Sequence, residues 1–399
     1  MGKRLTLWIG VGVLGGFLYG ALLPRWIAPL DFFGDLFLAL LNMIVVPLVA
    51  VSVFLGVASL ESLGRLRDLG LKTFLYYLAT TSLAVFTGLV LVHLIRPGVG
   101  VALSASGTAS LPTAQGWTPR DFVLRLVPTN PLASLARGEI LPIIVFSLLL
   151  GAAVIPVRDR EPVVRFFQGL NDAILTLTGW IMLLAPVGVA GLVAAVVAEK
   201  GLAVLLPIFR YALTVILGLL IHASVTLPLV LALLGRRSAL GLFHQVKGAL
   251  AVAFSTASSS ATLPVTLELV EKEAGVRPEV AGFVLPLGAT INMDGTALYE
   301  AVAALFIAQA YGISLSLPAQ AVVFLTATLA AIGAAGIPSA GLVTMTLVLK
   351  AVGLPLEGIG LILAVDRFLD MLRTTVNVWG DCIGAALVDR WVNPLRGSS

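Results

Sequence analysis

Long apolar stretches separated by short basic connections set the pattern of the first 235 residues. Runs of spanning length lie at about 5–23, 33–60, 69–95, 139–156, 168–197 and 202–234, and a helix of about 20 apolar residues crosses a bilayer. Beyond them the pattern changes. Ala249–Leu269 is interrupted by Thr256-Ala257-Ser258-Ser259-Ser260-Ala261-Thr262-Leu263-Pro264, and Ala319–Leu349 by Gly333-Ala334-Ala335-Gly336-Ile337-Pro338-Ser339-Ala340-Gly341. Proline removes a donor and clashes one turn back, and Gly and Ser weaken what remains, so neither segment continues as one helix. Each reads as two half-helices meeting at a tip, entering and leaving on the same side, with unwound backbone buried in protein or lining a cavity.

Each broken segment is followed by a long helix carrying polar residues, one from about Glu279 to Tyr311 and one from about Gly358 to Val388. Pro264 and Asn292 are 28 positions apart, as are Pro338 and Asp366, so a hairpin-plus-helix unit is used twice. One further span lies between the copies, which inverts the second; paired interrupted segments of this kind mark the site of a transporter.

Polarity concentrates on the last helix. Asp366, Asp370, Arg373, Asn377 and Asp381, at 100° per residue, share an arc of about 80°, while Trp379 and Leu387 point elsewhere. A charge at the centre of a membrane helix costs on the order of 3 kcal/mol, so the default reading is an intramembrane binding site. Arg373 offers a planar fork for a carboxylate, and Asp370 and Asp381 can hold an ammonium or a metal cation. The alternative is an internal Arg–Asp network bracing two helices, a reading that suits Arg367, off the main arc, and extends to Asp366.

The preceding polar helix carries Thr290-Ile291-Asn292-Met293-Asp294-Gly295-Thr296. Gly295 and the hydroxyl and amide side chains can open the helix and free carbonyl oxygens, and Asp294 adds a charge. Oxygen-only ligands suit a hard cation, here Na⁺, whereas Zn or Cu would want His or Cys. A kinked packing site is the alternative, but it leaves Asp294 uncompensated. In the third span Tyr77, Thr80 and Thr81 share a face, an arrangement equally suited to helix packing. Glu300, eight residues after Asn292, is either a proton carrier or a structural hydrogen-bonding group. The serine-rich tip could be mistaken for a nucleophile. Yet His93, His222 and His244 hold no fixed relation to it, and no H-E-x-x-H or G-x-S-x-G element occurs, which argues against an enzyme.

Composition agrees with the pattern. Of 399 residues, 59% are apolar and 12% charged, and the mean hydropathy is +1.04, so the chain reads as an all-α polytopic membrane protein. Lys3 and Arg4 precede a first run whose Leu22-Leu23-Pro24-Arg25 end is a poor cleavage site, so it reads as a retained span. The single cysteine, Cys382, excludes an internal disulfide framework. The net charge of +4 reflects loop residues and implies no nucleic-acid partner. Arg65, Arg67 and Lys72, then Arg158, Arg160 and Arg165, then Arg236, Arg237 and Lys247 fall on the cytoplasmic side if the N-terminus is inside. Residues Pro97 to Pro131, rich in Gly, Ser, Thr and Pro, read as the external loop.

Ser-Ser-Ser-Ala-Thr-Leu-Pro at 258–264, Asn-Met-Asp-Gly-Thr at 292–296, Ala-Ala-Gly-Ile-Pro-Ser-Ala-Gly at 334–341 and Asp-Met-Leu-Arg-Thr-Thr-Val-Asn-Val-Trp-Gly-Asp at 370–381 resemble the dicarboxylate/amino acid:cation symporter family, the glutamate transporters. The resemblance covers essentially the whole chain. It implies eight transmembrane helices plus two re-entrant helical hairpins, inverted repeats, in a homotrimer in the plasma (inner) membrane with both termini cytoplasmic. Residues 1–68 and 97–200 would form a scaffold with the external loop, and 69–96 and 201–399 a transport domain that slides against it as an elevator, gated by the second hairpin.

Position by position, the resemblance implies that Arg373, assisted by Thr296, takes the substrate's side-chain carboxylate. Asp370 and Thr374 would take its amino group, and Asn377 with the backbone near Ser259 its α-carboxylate, with Gly341 closing over it. About three sodium sites are implied: Gly288, Asn292, Asn377 and Asp381; Tyr77, Thr80, Thr81, Asn292 and Asp294; and Thr290, Ala331, Ile332 and Ala334. Glu300 matches the position at which proton-cotransporting relatives keep a Glu. Two departures stand out: Ala257 replaces a hairpin-tip arginine of an archaeal relative, and Met371 occupies the mammalian position for that charge, leaving Arg367 as the nearby cation. The function implied is sodium-coupled import of L-aspartate or L-glutamate, with proton cotransport open, and the alternative is a C4-dicarboxylate:proton symporter. A channel would need a continuous polar lining, whereas charge here is concentrated in the last third.

Overall fold

A computed structural model describes residues 2–58, 65–101, 127–201, 205–332 and 340–392, and among them every regular element is a helix. The N-terminal part comprises α1 (Gly2–Leu22), α2 (Ala28–Ala58), α3 (Arg65–Ile95), α4 (Pro131–Arg137), α5 (Ile140–Val154), α6 (Glu161–Leu183) and α7 (Ala185–Lys200). α1 and α2 both pack on α7, and α2 also meets α5 and α6. Small residues make the first contact possible. Gly12, Gly16 and Gly20, one turn apart on α1, face Pro186, Ala190 and Ala194 on α7 so closely that any Cβ would strike the partner backbone, the close approach that stabilises helix pairs in lipid.

Two of the expected runs depart from a single long straight helix. The run 168–197 is not one helix: α6 and α7 meet at a bend of 57°, because Pro186 denies α7 a backbone donor and excludes the carbonyl one turn back. The run 139–156 yields a helix of only 15 residues. By length and composition four helices among the described residues can cross a membrane, at Ala28–Leu55, Leu69–Ile95, Leu205–Gly235 and Pro278–Ala310, and there are five if the bent pair counts as one span.

α8 (Leu205–Gly235) contains two π-helical stretches, His222–Thr226 and Leu231–Gly235. Then come α9 (Ala239–Thr256), α10 (Ser259–Lys272), α11 (Pro278–Ile291), α12 (Asp294–Ala310), α13 (Leu317–Ile332), α14 (Ala340–Ala351) and α15 (Ile359–Val392). α9 and α10 fold back on each other, as do α13 and α14. The first break falls at Ala257–Ser258 rather than at Pro264, which lies inside α10. Ala257 adopts a left-handed conformation (φ 50°), and the Ser258 hydroxyl accepts from Ala261 N at 3.1 Å, capping α10. The second tip, 333–339, lies outside the described residues.

Every residue from 291 to 308 is buried, whereas only a third of the most apolar stretch of α3 and of α8 is. α12 is wrapped by α3, α8, α13, α14 and α15, and α11 packs on α15 and α10. The two polar helices are therefore the centre of the molecule, not its lipid-facing surface.

Candidate functional site

α15 turns its polar arc inward: Asp366, Asp370, Arg373, Thr374, Asn377 and Asp381 are all buried. Arg373 is completely enclosed. Its Nη1 donates to Asp366 Oδ1 at 3.0 Å and its Nη2 to Asp370 Oδ1 at 2.8 Å. The guanidinium lies 3.7 Å from the centroid of the Tyr299 ring of α12, a favourable cation–π contact when desolvated. Arg367 Nη1 donates to Asp370 Oδ2 at 3.3 Å, one turn along the same helix rather than across to a second one. Two carboxylates thus meet two guanidinium groups, and charge balances within the cluster. The Arg373 Nε has no partner among the described residues.

Gly341 opens α14 directly over this cluster: a Cβ there would lie 3.1 Å from Thr296 Cγ2 and 3.5 Å from the Arg373 guanidinium. Further along α14, the Thr344 hydroxyl donates to Glu300 Oε1. Glu300 is fully buried, and its Oε2 has no partner among the described residues.

The second cluster forms where α11 and α12 separate. Asn292 (φ −88°, ψ 87°) and Met293 (φ −116°, ψ 48°) leave the helical region, so the opening precedes Gly295, which is itself helical. Gly295 serves proximity instead, since a Cβ would lie 2.7 Å from the Arg373 carbonyl oxygen. Its N–H, one of the donors a helix start leaves unmatched, donates to Asn377 Oδ1 at 2.8 Å. Asn292 Nδ2 donates to Asp381 Oδ1 at 2.9 Å and to Asn377 O at 3.1 Å, while Asn292 Oδ1 is buried with no partner among the described residues. Asp294 Oδ1 accepts from Thr81 at 2.7 Å and from Thr80 at 3.3 Å, and His222 Nε2 lies 3.0 Å from Asp294 Oδ2. Tyr77 donates to Val284 O at 2.9 Å. Gly288 has room for no side chain, because its Cβ would collide with Asp381 Oδ1 and the Tyr77 hydroxyl.

Among the described residues no lysine or arginine pairs with Asp294 or Asp381. Two carboxylates, an orphaned amide oxygen and hydroxyls brought to one break form an oxygen-rich set suited to a hard cation. Asn377 joins the two clusters. Its backbone oxygen serves Asn292, while its side-chain amide reaches Gly295 and, at 3.5 Å, Thr296.

Other candidates are placed less closely. Ser259 is buried at the start of α10. Ala331 and Ile332 are buried at the end of α13, but Thr290 is exposed on α11 and Ala334 lies outside the described residues. Two residues were not expected at all. His222 faces Asp294, and Tyr299 carries the Arg373 guanidinium. An ionisable side chain inside an apolar run was signal enough for the first, while Tyr299 sits one turn after Thr296 on a helix already marked as polar.

Comparison with known proteins finds relatives of this chain along most of its length. A family model described as the sodium:dicarboxylate symporter family matches residues 5–391. The chain is 40% identical to the putative sodium-dependent excitatory amino acid transporter glt-4 of Caenorhabditis elegans, over 92% of this chain and 83% of that protein. It is 38% identical to the proton/glutamate-aspartate symporter of Escherichia coli, over 90% and 84% of the two chains. With the proton/sodium-glutamate symport protein of Bacillus caldotenax it shares 35% identity over 96% and 93%.

Proposed function

Because the chain belongs to the sodium:dicarboxylate symporter family, a family of transporters rather than enzymes, we propose that it is a secondary active symporter importing L-aspartate or L-glutamate with sodium. The observation that carries this reading is the adjacency of two electrically different clusters, bridged by Asn377. One matches a zwitterion with an extra carboxylate, and the other matches a metal cation.

In this reading Arg373 exchanges partners. The incoming side-chain carboxylate takes guanidinium N–H groups, including the unmatched Nε, and Asp370 turns from Arg373 to the substrate's ammonium, with Thr374 beside it. Each ionic partner given up is replaced by one on the substrate, which limits the desolvation penalty, and the net negative charge that an acidic amino acid brings is left for the co-transported cation to balance. The amino-group partner Asp370 favours amino acids over C4-dicarboxylates, the alternative substrate class. Thr296 and Gly341 confine the bound carboxylate, and Asn377 with the backbone near Ser259 takes the α-carboxylate.

Sodium is a co-substrate. Asp381 and Asn292 with the carbonyls of Gly288 and Asn377 would hold one ion; Asp294, Asn292, Thr80, Thr81 and Tyr77 would hold another. A third set, Thr290, Ala331, Ile332 and Ala334, rests on the family resemblance. Ordering Asn292 and Asn377 around sodium fixes the Asn377 amide that substrate needs, which supplies coupling through a shared residue. Proton cotransport through Glu300 is favoured by its enclosed position and its Thr344 bond to α14, the arm that would gate the site.

The same reading takes the chain as a multi-pass homotrimer of the cell membrane, both termini inside, with eight spans and two re-entrant hairpins. Residues 69–96 and 201–399 would move as an elevator against 1–68 and 97–200. The test is uptake of labelled aspartate, glutamate and succinate into liposomes under a sodium, a proton or no gradient. Sodium-driven aspartate or glutamate uptake is expected; proton-driven succinate uptake alone would replace this function with the alternative.

A further inference from the structure

His222 lies in an otherwise apolar helix and is completely buried. Its position is produced by a defect. Over His222–Thr226 α8 adopts π-helical bonding, with Leu227 N donating to His222 O, and the extra residue shifts the face presented to the neighbouring helices. The bulge is tied down from α15, where Trp379 Nε1 donates to the Ala223 carbonyl at 3.0 Å. Trp379 stands between Asn377 and Asp381 in sequence, so the helix carrying the candidate ligands also fixes the histidine.

The ring meets Asp294 at 3.0 Å through Nε2. A carboxylate only accepts, so Nε2 is the donor. Thr80 and Thr81 approach the other oxygen of the same carboxylate, and their hydroxyls can rotate to offer lone pairs instead, whereas the imidazole N–H cannot. His222 Nδ1 has no partner among the described residues. A side chain kept for packing would not bring an orphaned nitrogen to this depth, because leucine would fill the space without one. The fold tolerates that atom for the sake of the bond its neighbour makes.

We infer that His222 is a positioning residue for cation binding at Asp294: its Nε2–H holds Oδ2 so that Oδ1, with the two threonine hydroxyls, faces the ion. Such outer partners orient metal ligands generally. The inference rests on the reading of Asp294 as a sodium ligand and adds a residue to it.

Glutamine and asparagine separate the roles, since a glutamine amide can reach the Nε2 position and an asparagine amide falls short of it. The full chain is purified as wild type, His222→Gln, His222→Asn, His222→Leu and Asp294→Asn. Each is assayed for its rise in unfolding temperature on titration with NaCl, without amino acid, and for its unfolding temperature in choline chloride. The sodium concentration for half-maximal effect should rise about tenfold in His222→Asn and His222→Leu and stay within about twofold of wild type in His222→Gln. Asp294→Asn should be affected at least as strongly. If His222→Asn titrates like His222→Gln while Asp294→Asn is shifted, His222 only fills space and the inference falls. If Asp294→Asn is itself unshifted, the cation reading of that carboxylate fails and the inference goes with it. The Gln–Asn comparison decides the matter even if His222→Leu is too unstable to titrate.

Discussion

α15 serves two clusters that differ in how their charge is met. Around Arg373, Asp366 and Asp370 face two guanidinium groups, and every carboxylate has a permanent cation. Around Asn292, Asp294 and Asp381 face hydroxyls, an amide and one imidazole. The first cluster is balanced among its own residues, so in the proposed function substrate would enter it by exchange. The second carries two acidic groups against donors that bring no full charge of their own, so a cation adds what the protein does not supply. Under the proposed function the contrast separates selectivity from driving force: the exchangeable cluster would choose the amino acid, and the cation-requiring one would tie its binding to sodium.

The largest expected effect comes from breaking the balanced cluster. Arg373→Thr leaves Asp366 and Asp370 buried without their main partner, a change worth about 3–5 kcal/mol when a buried pair is broken. Uptake of labelled aspartate should fall by at least about 100-fold, since each factor of ten corresponds to about 1.4 kcal/mol. Serine is assayed beside aspartate, because gain of a neutral amino acid requires that the rest of the pocket is intact. Unchanged aspartate uptake would remove Arg373 from the site.

Next in size is the other cluster. Asp381→Asn keeps the shape and the Asn292 contact but removes a full charge from a site that no lysine or arginine neutralises among the described residues. A charge-assisted contact is worth about 1.5–3 kcal/mol, so the sodium concentration for half-maximal uptake should rise by about 10- to 100-fold. Gly288→Ala should act in the same direction, because its Cβ would collide with Asp381 and Tyr77. Equal sodium dependence in wild type and Asp381→Asn would dissolve the contrast between the clusters.

How much of this was legible beforehand depends on what kind of information each feature needs. Arg373, Asp370, Asn377 and Asp381 were readable because helical periodicity converts spacing into a shared face, and the structure buries that face as expected. The broken segments were readable because Pro, Gly and Ser interrupt an apolar run. The exact break of the first was not, since Ala257 takes a left-handed conformation that nothing in its own chemistry requests. The bend at Pro186 was missed because unbroken hydrophobicity masked a proline's effect on the backbone. His222 and Tyr299 needed tertiary placement: a π-helical shift aims one of them, and stacking under Arg373 defines the other.

A smaller effect should come from Glu300→Gln, which belongs to neither cluster but touches the arm lying over Arg373. The amide oxygen can still accept from Thr344, so the fold contact survives while the exchangeable proton is lost. The dependence of uptake on external pH should flatten, with little change in sodium half-saturation. A pH profile identical to wild type would make Glu300 a structural hydrogen-bonding group.

The smallest effect sharpens the comparison most. Arg367 contributes the second guanidinium of the balanced cluster, but its side chain is 17% exposed and its contact with Asp370 is 3.3 Å long. Pairs of that kind contribute about 0.2–1 kcal/mol, so Arg367→Ala should change aspartate affinity by less than about fivefold and leave sodium half-saturation unaltered. The direction is informative. With Arg367 gone, Asp370 is less neutralised and turns more readily toward an ammonium group, so aspartate should gain on succinate in competition. Ala257 and Met371 offer no cation in this neighbourhood, so a second outcome has a clear meaning. If Arg367→Ala instead abolishes uptake as thoroughly as Arg373→Thr, Arg367 is not a brace, and the cluster around Arg373 binds its substrate with two guanidinium groups rather than one.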